Sequence, residues 1–241
     1  GASKGIGRAL AFECAQNGDD ILLVARSKDL LMQLKSDLKK QFSVSVYVYS
    51  CDLTDVNQRK GLFEYTVEHQ IFVSTLVNNA GIGSNGLFWE QERDWEQSIV
   101  ELNIKALVDL THLFLPTMID KKCGAILNIA SLAAFSAGPK MATYYASKAF
   151  VVSFSQALAH ELKNTEVSVC VYCPGGTESE FGVVSGNGDT VLFNALPVAS
   201  SQAVAKDAYS KLRRKKKVAY FGLTGWMTAK LSTISPAWIT T

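Results

Sequence analysis

The chain has 241 residues, 48% of them hydrophobic and 19% charged, with a formal net charge of +2. A chain of this size can bury one substantial core, and its apolar share excludes a disordered or low-complexity protein. The near-neutral balance predicts neither a nucleic-acid binder nor an acidic tail, and no apolar run reaches the ~18 residues that span a bilayer. Cys14, Cys51, Cys123, Cys170 and Cys173 are scattered and odd in number. That argues against a disulfide framework and for a reducing, cytoplasmic setting. Cys170 and Cys173 form a CxxC inside the strand-like SVCVYC, where residues three apart point to opposite faces. The pair is therefore expected to hold neither a metal nor a disulfide. His69, His112 and His160 are too dispersed for a ligand cluster, and no metal site is expected.

In chain order, a glycine-rich turn opens a first helix, and 21–25 (ILLVA) reads as a strand buried on both faces. Leu31, Leu34 and Leu38 recur at helical spacing, with Ser27 placed to cap that helix. Residues 44–49 (VSVYVY) are β-branched and aromatic, hence a strand. A helix carrying Leu62, Phe63 and Val67 precedes a strand at 74–78. Residues 94 to about 118 read as one long helix, 125–130 as a strand, 142 to about 163 as a helix and 167–173 as a strand. Residues about 175–200 read as a long loop, followed by a helix at about 201–214, a short strand at 218–221 and an apolar tail over 223–241. Strict strand–helix alternation predicts a single α/β domain, a doubly wound parallel sheet in three α/β/α layers. The glycine turn at Gly1 lacks the central strand that normally feeds it, so a strand is expected upstream, and without it two interior strands face an empty slot.

Gly1-Ala2-Ser3-Lys4-Gly5-Ile6-Gly7 lets the backbone turn tightly at a helix N-terminus, where amides and dipole favour a pyrophosphate. Its spacing is GxxxGxG, and a purely structural turn would use glycine too. Asn78-Asn79-Ala80-Gly81 at a strand's carboxyl end suits a ligand crevice, or a simple Asn-Gly turn. In Tyr144-Tyr145-Ala146-Ser147-Lys148, helical spacing puts Tyr144 and Lys148 on one face. An ammonium ~4 Å from a phenol, at an effective dielectric of ~20, contributes roughly 4 kcal/mol, which would draw the tyrosine toward neutral pH as a proton-transfer group. A YxxxK on a surface helix also arises by chance. Ser131, at a strand end, could bind a substrate carbonyl beside that phenol. Asn103, polar among apolar neighbours, is either a satisfied core amide or part of a proton relay.

Taken in order, GASKGIG, CDLTD, NNAG, the helix asparagine, the serine, YxxxK and CPGGT resemble the short-chain dehydrogenase/reductase family over nearly the whole chain. Residues 145–181 look most like DltE-type reductases, related to 3-oxoacyl and 17β-hydroxysteroid reductases. The resemblance implies a Rossmann-type fold and an oxidoreductase passing hydride between a nicotinamide and a carbonyl or alcohol. It implies Tyr144 as acid/base, Ser131 orienting the carbonyl, and Lys148 binding the nicotinamide ribose and lowering the tyrosine pKa. Asn103 would hold a water linking Lys148 to solvent. Gly1, Ser3, Lys4, Gly5, Ile6 and Gly7 would form the phosphate turn, and Asp52 and Leu53 would meet the adenine. Asn79, Ala80 and Gly81 would line the cofactor, and Pro174, Gly175 and Thr177 would clasp the nicotinamide end. Gly176 departs from the proline common in that subgroup.

NAD-preferring enzymes place an acid at the end of the second strand of this fold to bind the ribose hydroxyls. Here Ala25-Arg26-Ser27 stands there, with Lys4 in the glycine turn, so two cations flank the position of a 2′-phosphate and NADPH is the expected cofactor over NADH. A catalytically silent NADPH-binding sensor is the rival reading, disfavoured by an intact Ser131, Tyr144 and Lys148. The basic run Arg213–Lys217 suits a solvated helix end. The tail, with Trp226, Met227, Leu231, Ile234 and Trp238, could pack on a partner subunit or touch a membrane peripherally. Loops 82–89, 132–141 and 175–200, with Phe88, Phe135, Phe181, Leu192 and Phe193, point to an apolar small-molecule substrate. The resemblance also implies a homodimer or homotetramer built on the two long helices.

Overall fold

The computed structural model describes residues 1–178 and 198–234. Six strands and eight helices alternate among them: α1 (Gly5–Gln16), β1 (Ile21–Ala25), α2 (Lys28–Gln41), β2 (Val46–Ser50), α3 (Val56–Glu68), β3 (Thr75–Asn78), α4 (Arg93–Val100), α5 (Ala106–Asp120), β4 (Gly124–Ile129), α6 (Ala142–Glu161), β5 (Val167–Cys173), α7 (Ser201–Arg213), β6 (Val218–Tyr220) and α8 (Gly222–Ile234). Every strand pairing is parallel. The period-2 alternation of the strands sorts the core onto two faces. Ile126, Val167 and Val169 pack against α3, α5 and α6, whereas Leu127, Ile129, Cys170 and Tyr172 pack against α1 and α7. Leu31, Leu34 and Leu38 of α2 close over Leu23 and Val46 with α1. This is the expected α/β/α architecture. Cys170 and Cys173 fall into different core clusters and are both unpaired.

The sheet lies in two parts, β1–β2 and β3–β4–β5–β6. Between β1 and β3 runs a slot of about 330 Å³ lined by residues 19–24 and 71–80 together with Leu10, Leu62, Leu110 and Phe114. No strand among the described residues fills it.

Several local expectations need correction. Val67 is 62% exposed, and Thr66 takes its place beside Arg59 and Leu62 on the buried face of α3. One residue further along, 100° of rotation, puts Val67 in solvent. Ser27 occupies the N-cap position of α2 but its side chain makes no cap bond. The long helix is continuous yet interrupted at Glu101–Lys105 by a π-helical turn carrying Asn103. Much of the tail is helix α8, which exposes Leu223, Trp226, Met227 and Leu231. Trp238, Phe181, Leu192 and Phe193 lie outside the described residues, as does most of the 175–200 loop. No helix among the described residues is long and apolar enough to cross a membrane.

Candidate active site

The predicted site residues gather at the carboxyl ends of the strands. Gly1 and Ala2 each donate a backbone N–H to the Val24 carbonyl, at 2.8 and 3.0 Å, which fixes the glycine turn to the end of β1. Gly5 has φ +51°, a left-handed conformation that favours glycine. A Cβ on Gly7 would stand 2.0 Å from the Gly1 carbonyl oxygen and 2.5 Å from Asn79 Nδ2. The Asn79 amide itself donates to that carbonyl at 3.0 Å. The turn after β3 thus packs directly on the glycine turn, leaving no room for a side chain. No side chain caps the start of α1 and no acid occupies its first turn, which suits a helix N-terminus that takes an anion. Lys4 and Arg26 flank this turn, both exposed, and Arg26 lies within electrostatic reach of Gly1. Backbone room, helix N-terminus and flanking cations together fit a dinucleotide phosphate.

At the end of β2, Asp52 folds its carboxylate onto Thr54, accepting its backbone N–H at 2.9 Å and its hydroxyl at 2.8 Å. Leu53 is buried in the core. Its carbonyl accepts Arg59 Nη1 at 2.7 Å, and Arg59 Nε pairs with Asp109 of α5 at 2.5 Å. After β5, the Pro174 carbonyl accepts the Leu132 N–H at 2.9 Å, and Thr177 donates to the Gly175 carbonyl at 3.1 Å. This places the 174–177 segment against the turn that follows Ser131.

Tyr144, Ser131, Lys148 and Asn103 converge in a buried cluster. Tyr144 is 5% exposed and Lys148 5%, on the inner face of α6. The Ser131 side chain stands near enough to the Tyr144 hydroxyl to favour its ionised form. Ser131 sits at the N-cap of the 3₁₀ turn Leu132–Phe135, accepting the Ala133 N–H at 3.1 Å. Lys148 Nζ donates to the Ile129 carbonyl at 3.0 Å and stands 5.8 Å from the Tyr144 ring centroid. The electrostatics differ from the sequence expectation. Burial pushes the Tyr144 phenol up to about 12, partly opposed by the Ser131 side chain, and pushes the Lys148 amine down to about 8. The ammonium donates to a strand carbonyl and lies 5.8 Å from the ring centroid, and for both groups desolvation is the largest effect.

Asn103 Oδ1 accepts the Ile82 N–H at 3.0 Å, while its Nδ2 donates to the Ile82 carbonyl at 2.9 Å and to Ser147 Oγ at 3.0 Å. Both amide hydrogens are therefore committed to protein. A Cβ on Gly81 would lie 3.2 Å from Asn103 Oδ1 and 3.4 Å from Lys148 Nζ, so glycine there opens the space these two groups share. A spare lone pair on Oδ1 faces that space and can accept from water.

Sequence reasoning named Asn78 only as part of the crevice motif and missed the bonds that support this cluster. Asn78 Nδ2 donates to Asn128 Oδ1 at 2.9 Å and to Thr111 at 3.2 Å, and Asn128 Nδ2 donates to Ser155 of α6 at 2.8 Å. Ser147 and Arg59 were likewise not singled out. A polar residue inside an otherwise apolar strand is the signal that marks Asn128; no such signal marks Arg59, which stands among Asn57, Gln58 and Lys60.

Residues 1–187 match the family profile described as short chain dehydrogenase. The chain is 34% identical over 210 residues to sulfoacetaldehyde reductase 2 of Chromohalobacter salexigens, covering 86% of this chain and 82% of that one. It is 34% identical over 171 residues to the very-long-chain 3-oxoacyl-CoA reductase of Coprinopsis cinerea, with 70% and 50% coverage. Among solved structures it resembles a short-chain dehydrogenase from Sphingobium yanoikuyae in complex with NADPH, at a TM-score of 0.85, 29% identity and 98% and 95% coverage. Fold and relatives together define an oxidoreductase that acts on alcohol and carbonyl groups with a nicotinamide cofactor. The chain belongs to the short-chain dehydrogenase/reductase family.

Proposed function

We propose that the protein is an NADPH-dependent carbonyl reductase in which Tyr144 is the proton donor. The observation that carries this reading is the buried convergence of Tyr144 and Ser131, one helical turn from Lys148, at the carboxyl edge of the sheet. The glycine turn, Asn79, Ala80 and Gly81 would hold the dinucleotide, with Lys148 at its ribose and Pro174, Gly175 and Thr177 at its nicotinamide end. The bound nicotinamide supplies the hydride. Ser131 orients the substrate carbonyl by donating its hydroxyl hydrogen, and Tyr144 gives its proton to the oxygen as charge develops there. A phenol held near 12 is fully protonated at neutral pH, which suits an acid working in the direction of reduction. The Tyr144→Phe variant tests this. Turnover of a carbonyl panel should fall by roughly 10²–10⁴-fold while NADPH affinity changes little; residual wild-type rates in that variant would refute the role.

Arg26 and Lys4 support preference for the 2′-phosphate of NADPH, since no acid stands at the end of β1. Arg26→Ala should lower kcat/KM with NADPH roughly tenfold to a hundredfold and spare NADH. Wild-type turnover with NADH as good as with NADPH overturns the preference.

The wall beyond Ser131 favours an apolar substrate. Leu132 and Phe135 follow Ser131 in the 3₁₀ turn, half-buried against the core, the Phe135 ring lies 5.7 Å from that of Tyr220, and Met141, Tyr144, Tyr145 and Ala133 form a buried cluster. A panel running from long-chain 3-oxoacyl thioesters and aryl ketones to sulfoacetaldehyde separates the apolar class from a small anionic aldehyde. Self-association through the long helices is supported by Phe150, 38% exposed and stacked on Phe154 at 5.9 Å.

A further inference from the structure

Ser147 is 1% exposed, inside α6, between the two residues of the YxxxK pair. Its hydroxyl donates to the Tyr144 carbonyl at 2.6 Å and accepts from Asn103 Nδ2 at 3.0 Å. The Tyr144 carbonyl is the same group that, in an α-helix, receives the Lys148 N–H four residues on. One hydroxyl therefore grips the peptide link that spaces the phenol from the amine.

The polarity of the chain of bonds is fixed. A serine hydroxyl has one hydrogen, and here it is spent on the carbonyl. Ser147 can then only accept from Asn103, so the asparagine must turn its NH₂ toward α6 and its Oδ1 toward the Ile82 N–H. With the amide reversed, an N–H would face an N–H at Ile82 and a carbonyl oxygen would face a hydroxyl with no hydrogen to give. Asn103 Oδ1 is also the group that shares the space above Gly81 with Lys148 Nζ. The sense of one amide thus decides whether an acceptor or a donor stands beside the amine.

We infer that Ser147 is a positioning residue for proton transfer, holding the Asn103 amide, whose sense the Ile82 backbone fixes, against α6 and setting the pitch of the turn that carries Tyr144 and Lys148. A hydroxyl that merely back-bonds its own helix is the alternative, since serine commonly bonds the carbonyl three or four residues before it. What separates the two is the second partner: Asn103 comes from the π-turn, on a different element, and is 2% exposed with no spare route for its amide hydrogen. The inference rests on the assignment of Tyr144 as proton donor, so its test has one arm that needs no turnover.

In that arm, the side-chain NH₂ protons of Asn103 are followed by NMR hydrogen exchange in the intact protein, assigned by their loss in Asn103→Ala. Ser147→Ala should speed their exchange by roughly tenfold or more, and Ser147→Thr, which keeps the hydroxyl, should restore protection. In the kinetic arm, Ser147→Ala should lower kcat roughly tenfold or more with KM for NADPH within about threefold, and should displace the pH profile of kcat. The same substitution made on top of Asn103→Ala should have far less effect than alone, because its partner is already gone. Unchanged exchange in Ser147→Ala overturns the inference whatever the kinetics do. So does additivity of the two substitutions with an unmoved pH profile. A wild-type protein that reduces no carbonyl in the panel, yet loses Asn103 protection in Ser147→Ala, refutes the role of Tyr144 while leaving the positioning of the amide upheld.

Discussion

Lys148 has a cost that can be measured. Its amine is buried beside a strand carbonyl and titrates near 8, below its ordinary value of 10.5. Between those two values the unfolded chain binds a proton that the native protein does not, so this group makes stability rise as pH is raised through that window. Below pH 8 the native fold carries the whole penalty. Lys148→Met should therefore stabilise the protein at pH 7 by up to about 3 kcal/mol, and the gain should vanish by pH 10.5. Urea unfolding of both proteins from pH 7 to 10.5 is the check, and a difference that stays flat with pH contradicts the burial cost. Gly7 is constrained in another way. Gly7→Ala drives a methyl into the Gly1 carbonyl, and displacement of the turn should weaken NADPH binding roughly tenfold to a hundredfold, read by fluorescence titration.

At the scale of elements, most of the alternation could be read from residue order. Residues 21–25 and 167–173 are strands over the spans their apolar runs mark out. The 167–173 strand is buried on both faces, as composition declares, whereas 21–25 buries only Leu23 and Ala25 and leaves Ile21, Leu22 and Val24 half-buried on the slot. The π-turn was invisible for a physical reason. One extra residue in a turn leaves the apolar repeat on each side intact, and only the hydrogen-bond ladder reports it. Arg59 illustrates what periodicity cannot predict, since a charged residue on a helix reads as solvent-facing until its partners are known. It ties α3 to α5 through Asp109 and to the turn after β2 through the Leu53 carbonyl. Arg59→Met leaves that carbonyl and a partly buried carboxylate without a donor. A loss of about 2–4 kcal/mol is expected in thermal or denaturant unfolding.

For the whole molecule, the chemistry-bearing motifs were legible because a doubly wound sheet delivers every strand's carboxyl end to one edge. Residues distant in sequence, Gly1, Asn79, Ser131 and Pro174, then need no separate explanation for meeting. Side-chain direction was not legible. The sequence places Lys148 one turn from Tyr144 but says nothing of the Ile129 carbonyl that captures it. Assembly belongs to this scale as well. Phe150→Asp on the outer face of α6 should shift the protein toward monomer by sedimentation velocity if the long helices form the subunit contact, with folding unaffected because the ring is partly exposed.

The asparagine ladder that crosses the sheet has a consequence for alignment. Apolar faces alone tolerate β3 sliding along β4 by two residues, since every side chain returns to its own side of the pleat. Asn78 and Asn128 stand directly opposite one another, and such a slide would part them by about 6.6 Å, stranding two amides in hydrocarbon. The pair works as an index mark. It holds the level of Gly81 against that of Ser131, so the turns that leave the two neighbouring strands emerge at matching heights.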